Sequence, residues 1–281
     1  MHVREWGSPD GRPLVFWHAL GAVQSGAYLT EIAPALTEAG LRVIAPDAPG
    51  FGQSPSLPAE RYEPDSLVEL LRDVLDERGL ERAVLIGHSW GGSVSMAFAA
   101  QAPERVDGLV LVDSAQMDYQ DSPNFPHGKS LEDLIVDAAR PEATVRVKKE
   151  EFKTEAQDGL RRPVTPELLE ALSADMREEN GHLVGIVQPE VRGAVLYGIT
   201  KMRVTEFWPA VAEARIPILL LLATEPEDTR SQNDKWAPIF AERFPDAEIR
   251  FIEGAGHDLI ADAGPEVARL VCDWAARLSF P

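Results

Sequence analysis

The chain runs to 281 residues, 44% hydrophobic and 26% charged, with 21 Gly and 22 Pro. That composition suits one large globular domain, or a core with an inserted lobe, and excludes disordered, collagen-like and coiled-coil chains. A formal net charge of −19 argues against nucleic-acid and membrane partners, since phosphate backbones and anionic lipid surfaces would repel it.

The single cysteine, Cys272, has no internal disulfide partner and reads as a small packing residue in a helix. Met1–Asp10 carries Arg4, Glu5 and Pro9 without an apolar run, so no secretory leader is expected and the location is expected to be cytoplasmic. The longest apolar run, Ile216–Ala223, is interrupted by Pro217 and is too short to span a bilayer.

Short runs rich in Val, Ile and Leu alternate with amphipathic stretches, which predicts an α/β fold: a mostly parallel sheet with helices on both faces. His2–Trp6 and Leu14–Trp17 flank Asp10-Gly11, a turn pair, and predict an opening antiparallel hairpin. Strands are expected next at Arg42–Ala45, Ala83–Ile86, Gly108–Val112, Ile218–Leu222 and Glu248–Ile252. Leu67, Leu70, Leu71, Val74 and Leu75 recur at helical spacing between Pro64 and Gly79, and Val267, Leu270, Val271 and Trp274 do so behind Pro265.

The alternation stops between about Gln116 and Pro209, where helical and charged stretches dominate. Ser130–Arg140 predicts a helix stopped by Pro141. A second opens at Thr165-Pro166, presents Leu168, Leu172 and Met176 on one face and ends at Asn180-Gly181; a third lies within Glu190–Thr200. The expected organisation is a core of residues 1–116 and 210–281 with a helical cap, 117–209, laid over the sheet's edge.

The sharpest chemical motif is Gly87-His88-Ser89-Trp90-Gly91, entered by the apolar strand and followed by the small-residue stretch Ser93–Ala100. A strand-to-helix turn of this kind lifts a serine hydroxyl above the sheet, and glycines flank it because side chains there would collide. Ser89 is therefore the candidate nucleophile. Its base is expected to be His257, in the loop Glu253–Asp258 after the last strand, where an imidazole can swing over the serine. His2, His88, His127 and His182 are placed less suitably, and His88 on the turn should pack elsewhere. Two backbone N–H groups are needed for the oxyanion: Trp90, after the nucleophile, and Leu20, in the loop His18-Ala19-Leu20-Gly21.

With these motifs the chain resembles the α/β-hydrolase fold superfamily, in the form with a helical cap after its sixth strand, and the resemblance covers nearly the whole chain. Asp47-Ala48-Pro49-Gly50-Phe51-Gly52-Gln53-Ser54 is similar to the family's loop after its fourth strand, and Pro103-Glu104-Arg105-Val106 to its lead into the sixth. Asp47 reads as a structural hydrogen-bonding residue. The oxyanion loop has His18-Ala19 where the family usually has His-Gly.

The acid has more than one candidate. Family members commonly carry an aspartate three residues beyond a glycine ending the seventh strand; Ala223 stands for that glycine, which puts Pro226 at the acid's place. Counting back from His257 by the family's spacing lands near Asp228 or Thr229, so Glu225, Glu227 and Asp228 stay open. Asp113, ending Leu111-Val112-Asp113-Ser114, competes, and haloalkane dehalogenases and fungal zearalenone lactonases look similar in taking their acid from this strand end. A carboxylate at a buried strand end needs a partner, and His257 would supply one, so Asp113 is preferred.

The resulting expectation is a serine hydrolase acting on a small apolar ester or lactone. The cap should supply an apolar chamber from Phe125, Phe152, Leu183, Val187, Tyr197, Met202, Phe207 and Trp208. No metal-ligand cluster and no phosphate loop appears, so no cofactor is implied. Carbon–carbon bond hydrolysis, amide hydrolysis and perhydrolysis use the same framework and remain open, as does a non-catalytic receptor that keeps only the pocket.

Overall fold

All seven expected strands join one sheet in the computed structural model, which describes residues 1–278 except 22, 123 and 124. They are β1 (Val3–Trp6), β2 (Arg12–Trp17), β3 (Leu41–Pro46), β4 (Ala83–His88), β5 (Val106–Val112), β9 (Ile218–Ala223) and β10 (Glu248–Ile252), ordered β1-β3-β2-β4-β5-β9-β10. A second sheet holds β6 (Arg146–Lys148), β7 (Met176–Glu179) and β8 (His182–Gly185). The helices are α1 (Ala33–Glu38), α2 (Pro64–Glu77), α3 (Trp90–Gln101), α4 (Leu131–Ala138), α5 (Phe152–Gly159), α6 (Pro166–Ser173), α7 (Pro189–Thr200), α8 (Trp208–Glu213), α9 (Glu227–Arg243) and α10 (Leu259–Ala275).

Every contact in the main sheet is parallel except that of β1 with β3. The expected opening hairpin is not formed. Leu14, Val15, Phe16 and Trp17 are all buried, so β2 takes a central place between β3 and β4, and the half-exposed β1 goes to the edge beyond β3. Residues 7–11 are long enough to carry the chain across.

The core divides as the two-residue period of strands requires. Val15, Leu85, Leu109 and Leu111 pack on one face with Leu67 and Leu71 of α2 and with α3. Leu14, Val84, Ile86, Val110 and Val112 pack on the other with Leu36 of α1 and Val267, Val271 and Trp274 of α10, where Cys272 is a partly buried neighbour. A sheet covered on both faces turns the carboxyl ends of its parallel strands into the open edge where ligands can reach.

Between β5 and α8 the chain is not all helix. Ser130 caps α4 in a reciprocal pair with Asp133, and Thr165 caps α6 as its position suggests. The helix opened by Pro166 stops at Ser173, however, and Met176 lies in β7. Asn180 (φ 49°) and Gly181 (φ 77°) form the tight turn of a β7–β8 hairpin, in which Glu179 pairs with His182. That dipeptide favours positive φ at both places, and a hairpin uses both where a helix end uses one. Among the described residues no helix is long and apolar enough to cross a membrane.

Candidate active site

Ser89 stands between β4 and α3 with φ 52° and ψ −121°, a backbone state that costs a residue with a side chain about 1–2 kcal/mol. The surroundings impose it. A Cβ on Gly91 would lie 1.9 Å from the carbonyl oxygen of Trp17, and one on Gly87 would lie 2.3 Å from that of Gly91. The Ser89 N–H donates to Val112 O at 3.1 Å, and the Ser114 hydroxyl donates to Ser89 O. The serine is thus held from β5 as well as from its own strand.

His257 is delivered by the loop after β10, and about half of its side chain (53%) faces the cleft. Its Nε2 lies 2.9 Å from Ser89 Oγ and its Nδ1 2.6 Å from Asp113 Oδ2. Two bonds steady the loop: the Gly256 N–H donates to Asp262 Oδ2 at 2.7 Å, and His88 Nε2 donates to the His257 carbonyl at 2.8 Å. His88 therefore does more than pack. Its ring lies parallel to that of Tyr28, and burial holds its basicity down, so it carries one proton, on the nitrogen that meets the carbonyl.

Asp113 follows directly on β5 at φ 45° with its side chain buried. While Oδ2 meets His257, Oδ1 accepts from the Ala223 N–H at 3.0 Å and from Asn233 Nδ2 at 2.9 Å. Burial alone would raise its pKa. The bond and charge of His257, with the Ala223 and Asn233 donors, outweigh burial and hold the carboxyl below its ordinary value. Burial likewise pulls His257 down, and Asp113 outweighs it, so the imidazole is more basic than usual.

The later candidates lie elsewhere. Glu225 pairs with Arg161 at 3.5 Å, Glu227 is exposed in the first turn of α9, and Asp228 accepts its neighbour's Thr229 N–H at 2.9 Å. Among the described residues none of the three bonds to His257.

Trp90 opens α3, so its N–H has no partner within the helix. The close approach of Gly91 to Trp17 and His18 sets the loop containing Leu20 directly beside the nucleophile's turn. His18 shapes that loop. Fully buried, with burial lowering its pKa to about 4, it stays neutral, donates from Nδ1 to Ala19 O at 2.8 Å and accepts the Ala48 N–H at Nε2 at 3.0 Å. Asp47 has the structural role expected of it, accepting from His2, Arg4, Gly26 and Gln53.

Three contributors escape a reading of the sequence. Asn233 lies in a hydrophilic stretch, although Asn233, Ala237 and Phe240 form the buried face of α9 at helical spacing, a pattern that was available. Gln116 Nε2 donates to Asn233 Oδ1 at 2.8 Å. The Tyr119 hydroxyl is buried close to the hydroxyls of Ser93, Ser89 and Ser114. A cavity of about 170 Å³ opens beside His257, bordered by Asp113, Ser114, Gln116, Tyr119 and Asn233 among others. None of the eight side chains expected to build an apolar chamber borders it; Val187, Met202 and Trp208, for example, are buried in the core.

The arrangement is suited to nucleophilic attack by Ser89, with His257 taking the hydroxyl proton and Asp113 fixing the imidazole. A family model described as the alpha/beta hydrolase fold matches residues 12–145. Lipase 1 of Psychrobacter immobilis is 26% identical over 95% of this chain and 78% of its own length. The 2-hydroxy-6-oxononadienedioate/2-hydroxy-6-oxononatrienedioate hydrolase of Paraburkholderia phymatum is 43% identical, over 35% of each chain. The solved structure of a marine microorganism esterase aligns with a TM-score of 0.65 and 26% identity, covering 97% of this chain and 98% of that one. The alignments with two of the curated relatives span only 43% and 35% of the relatives' own lengths. Sheet order, elbow and these matches agree: the chain has the α/β-hydrolase fold.

Proposed function

We propose that the protein is a serine hydrolase that cleaves a carboxylic ester or lactone through an acyl-enzyme. The observation that carries this reading is the unbroken series from Asp113 Oδ2 to His257 Nδ1 at 2.6 Å and from His257 Nε2 to Ser89 Oγ at 2.9 Å. His257 Nε2 takes the hydroxyl proton as Ser89 Oγ bonds to the carbonyl carbon. The tetrahedral oxyanion lies against the N–H groups of Leu20 and Trp90 at the positive end of α3. Collapse breaks the bond to the alcohol oxygen, which leaves with the proton from His257. Water then attacks the acyl carbon, giving its proton to His257, and the acid departs as Ser89 regains its hydrogen. Residues 117–209 serve as a lid over this edge of the sheet, and the chemistry needs no cofactor.

A second reading, hydrolysis of a carbon–carbon bond on the same framework, is favoured by the local identity to the Paraburkholderia phymatum hydrolase. Steady-state assays with short p-nitrophenyl esters, a lactone series and a vinylogous diketone separate the two. Turnover of esters or lactones is expected; turnover of the diketone alone would replace the first reading with the second.

A further inference from the structure

The triad acid fixes more than His257. Asp113 is ionised and only accepts, so the Asn233 side chain must turn its NH₂ group to Oδ1. The same group donates to Ala223 O at 2.9 Å, which confirms that orientation. Asn233 Oδ1 is then left as an acceptor, and Gln116 must meet it with Nε2, at 2.8 Å. The remaining atom of that amide, Gln116 Oε1, is forced to be an acceptor, and it is buried without a hydrogen-bond partner among the described residues. Gln116 is 6% exposed and borders the cavity that also touches His257 and Asp113. A buried acceptor with no donor is disfavoured, and the bordering cavity is where a donor can be brought to it.

We propose that this cavity is a subsite for the alcohol portion of the substrate, in which Gln116 Oε1 accepts a hydrogen bond from a neutral O–H or N–H group. The inference rests on the ester or lactone reading above and narrows it to alcohols that carry a second polar, donor-bearing group. The subsite lies on the His257 side because that imidazole returns its proton to the leaving alcohol oxygen. Carboxylate groups are disfavoured there, since Gln116 Oε1 and the Asp113 charge both repel them. Discrimination should be strong, because an ether in place of the hydroxyl leaves the acceptor unpaired.

The test compares 2-hydroxyethyl, 2-acetamidoethyl and 2-methoxyethyl butyrate as substrates of the wild type and of Gln116→Leu. The wild type is expected to favour at least one of the two donor-bearing esters over the methoxy ester by roughly 10–100-fold in kcat/KM. Gln116→Leu, whatever its absolute rate, should bring that ratio to within about twofold. The proposal is overturned if the wild type treats all three alike or if the preference survives in the variant. Should no ester turn over, the ester reading fails separately, and calorimetric binding of the same three compounds decides the subsite. A donor preference that Gln116→Leu removes supports it, and equal or absent binding of all three overturns it.

Discussion

Asp113 Oδ2 and His257 Nδ1 lie 2.6 Å apart although 144 positions separate the two residues. They meet because β5 and β9 are parallel neighbours and β10 follows β9 in the sheet, so the loops beyond their carboxyl ends share one edge. Asp113→Asn is expected to lower kcat by about 10³–10⁴-fold, as loss of the imidazole's correct tautomer does in serine hydrolases. Glu225→Gln and Asp228→Asn should stay within about twofold of the wild type. Steady-state kinetics of the three variants check this, and the reverse pattern would move the acid to the later loop.

The same pair sets the pH response. His257 must be neutral to accept the Ser89 proton, and Asp113 raises its pKa above the ordinary imidazole value of 6.5. Activity should therefore fall on acidification through a midpoint above that value. In Asp113→Asn the main raising partner is gone, leaving the Asp258 charge against burial, so the midpoint should drop. NMR titration of His257 reads both midpoints even where turnover is weak, and an unchanged midpoint in the variant would contradict the assignment.

Asp175 offers a prediction about stability. It follows α6, is 0% exposed, and among the described residues neither carboxylate oxygen has a hydrogen-bond partner. Burial raises its pKa to about 6; Ser25 opposes the rise, the Asp47 charge adds to it and Arg4 opposes it. Since the folded state holds this proton more tightly than the unfolded one, stability is lost as pH rises from about 4 through about 6, then stays level. The loss is of the order of 2–3 kcal/mol. Asp175→Asn should therefore gain most of that at pH 8 and little at pH 4, seen as a rise of several degrees in Tm at the higher pH alone. Equal effects at both pH values would contradict it.

The elbow leaves no room for a side chain at residue 91. Gly91→Ala would force a Cβ into the Trp17 carbonyl and should cost about 3 kcal/mol or more in urea denaturation. Gly159 ends α5 with no atom within 4 Å of such a Cβ, so Gly159→Ala should be neutral or stabilise by up to about 1 kcal/mol. Comparable losses at the two positions would show that the turn is not as tight as its contacts require.

Much of this architecture is legible in the chain because local rules carry it. Apolar runs mark the inner strands of the large sheet, and Gly87, Ser89 and Gly91 mark the elbow where one of those runs ends. Position within the sheet is a different matter. The antiparallel pairing of β1 with β3, in place of the hairpin that Asp10-Gly11 suggests, is decided by how much of β2 must be buried, a tertiary demand. Asn180-Gly181 is ambiguous for a related reason, since one dipeptide serves both a helix end and a hairpin. Asn233 and Gln116 act through amide bonds across more than a hundred positions; helical spacing marks Asn233 as inward-facing, but no local pattern names its partners.

The central claim is that Ser89 is a nucleophile activated by His257. The most direct measurement is intact-protein and peptide mass spectrometry after exposure to a fluorophosphonate. The account predicts one covalent adduct, on Ser89, absent from Ser89→Ala and slowed by at least about a hundredfold in His257→Gln. A Ser89 that stays unmodified under conditions that label a control esterase, or one labelled equally fast without His257, would contradict it.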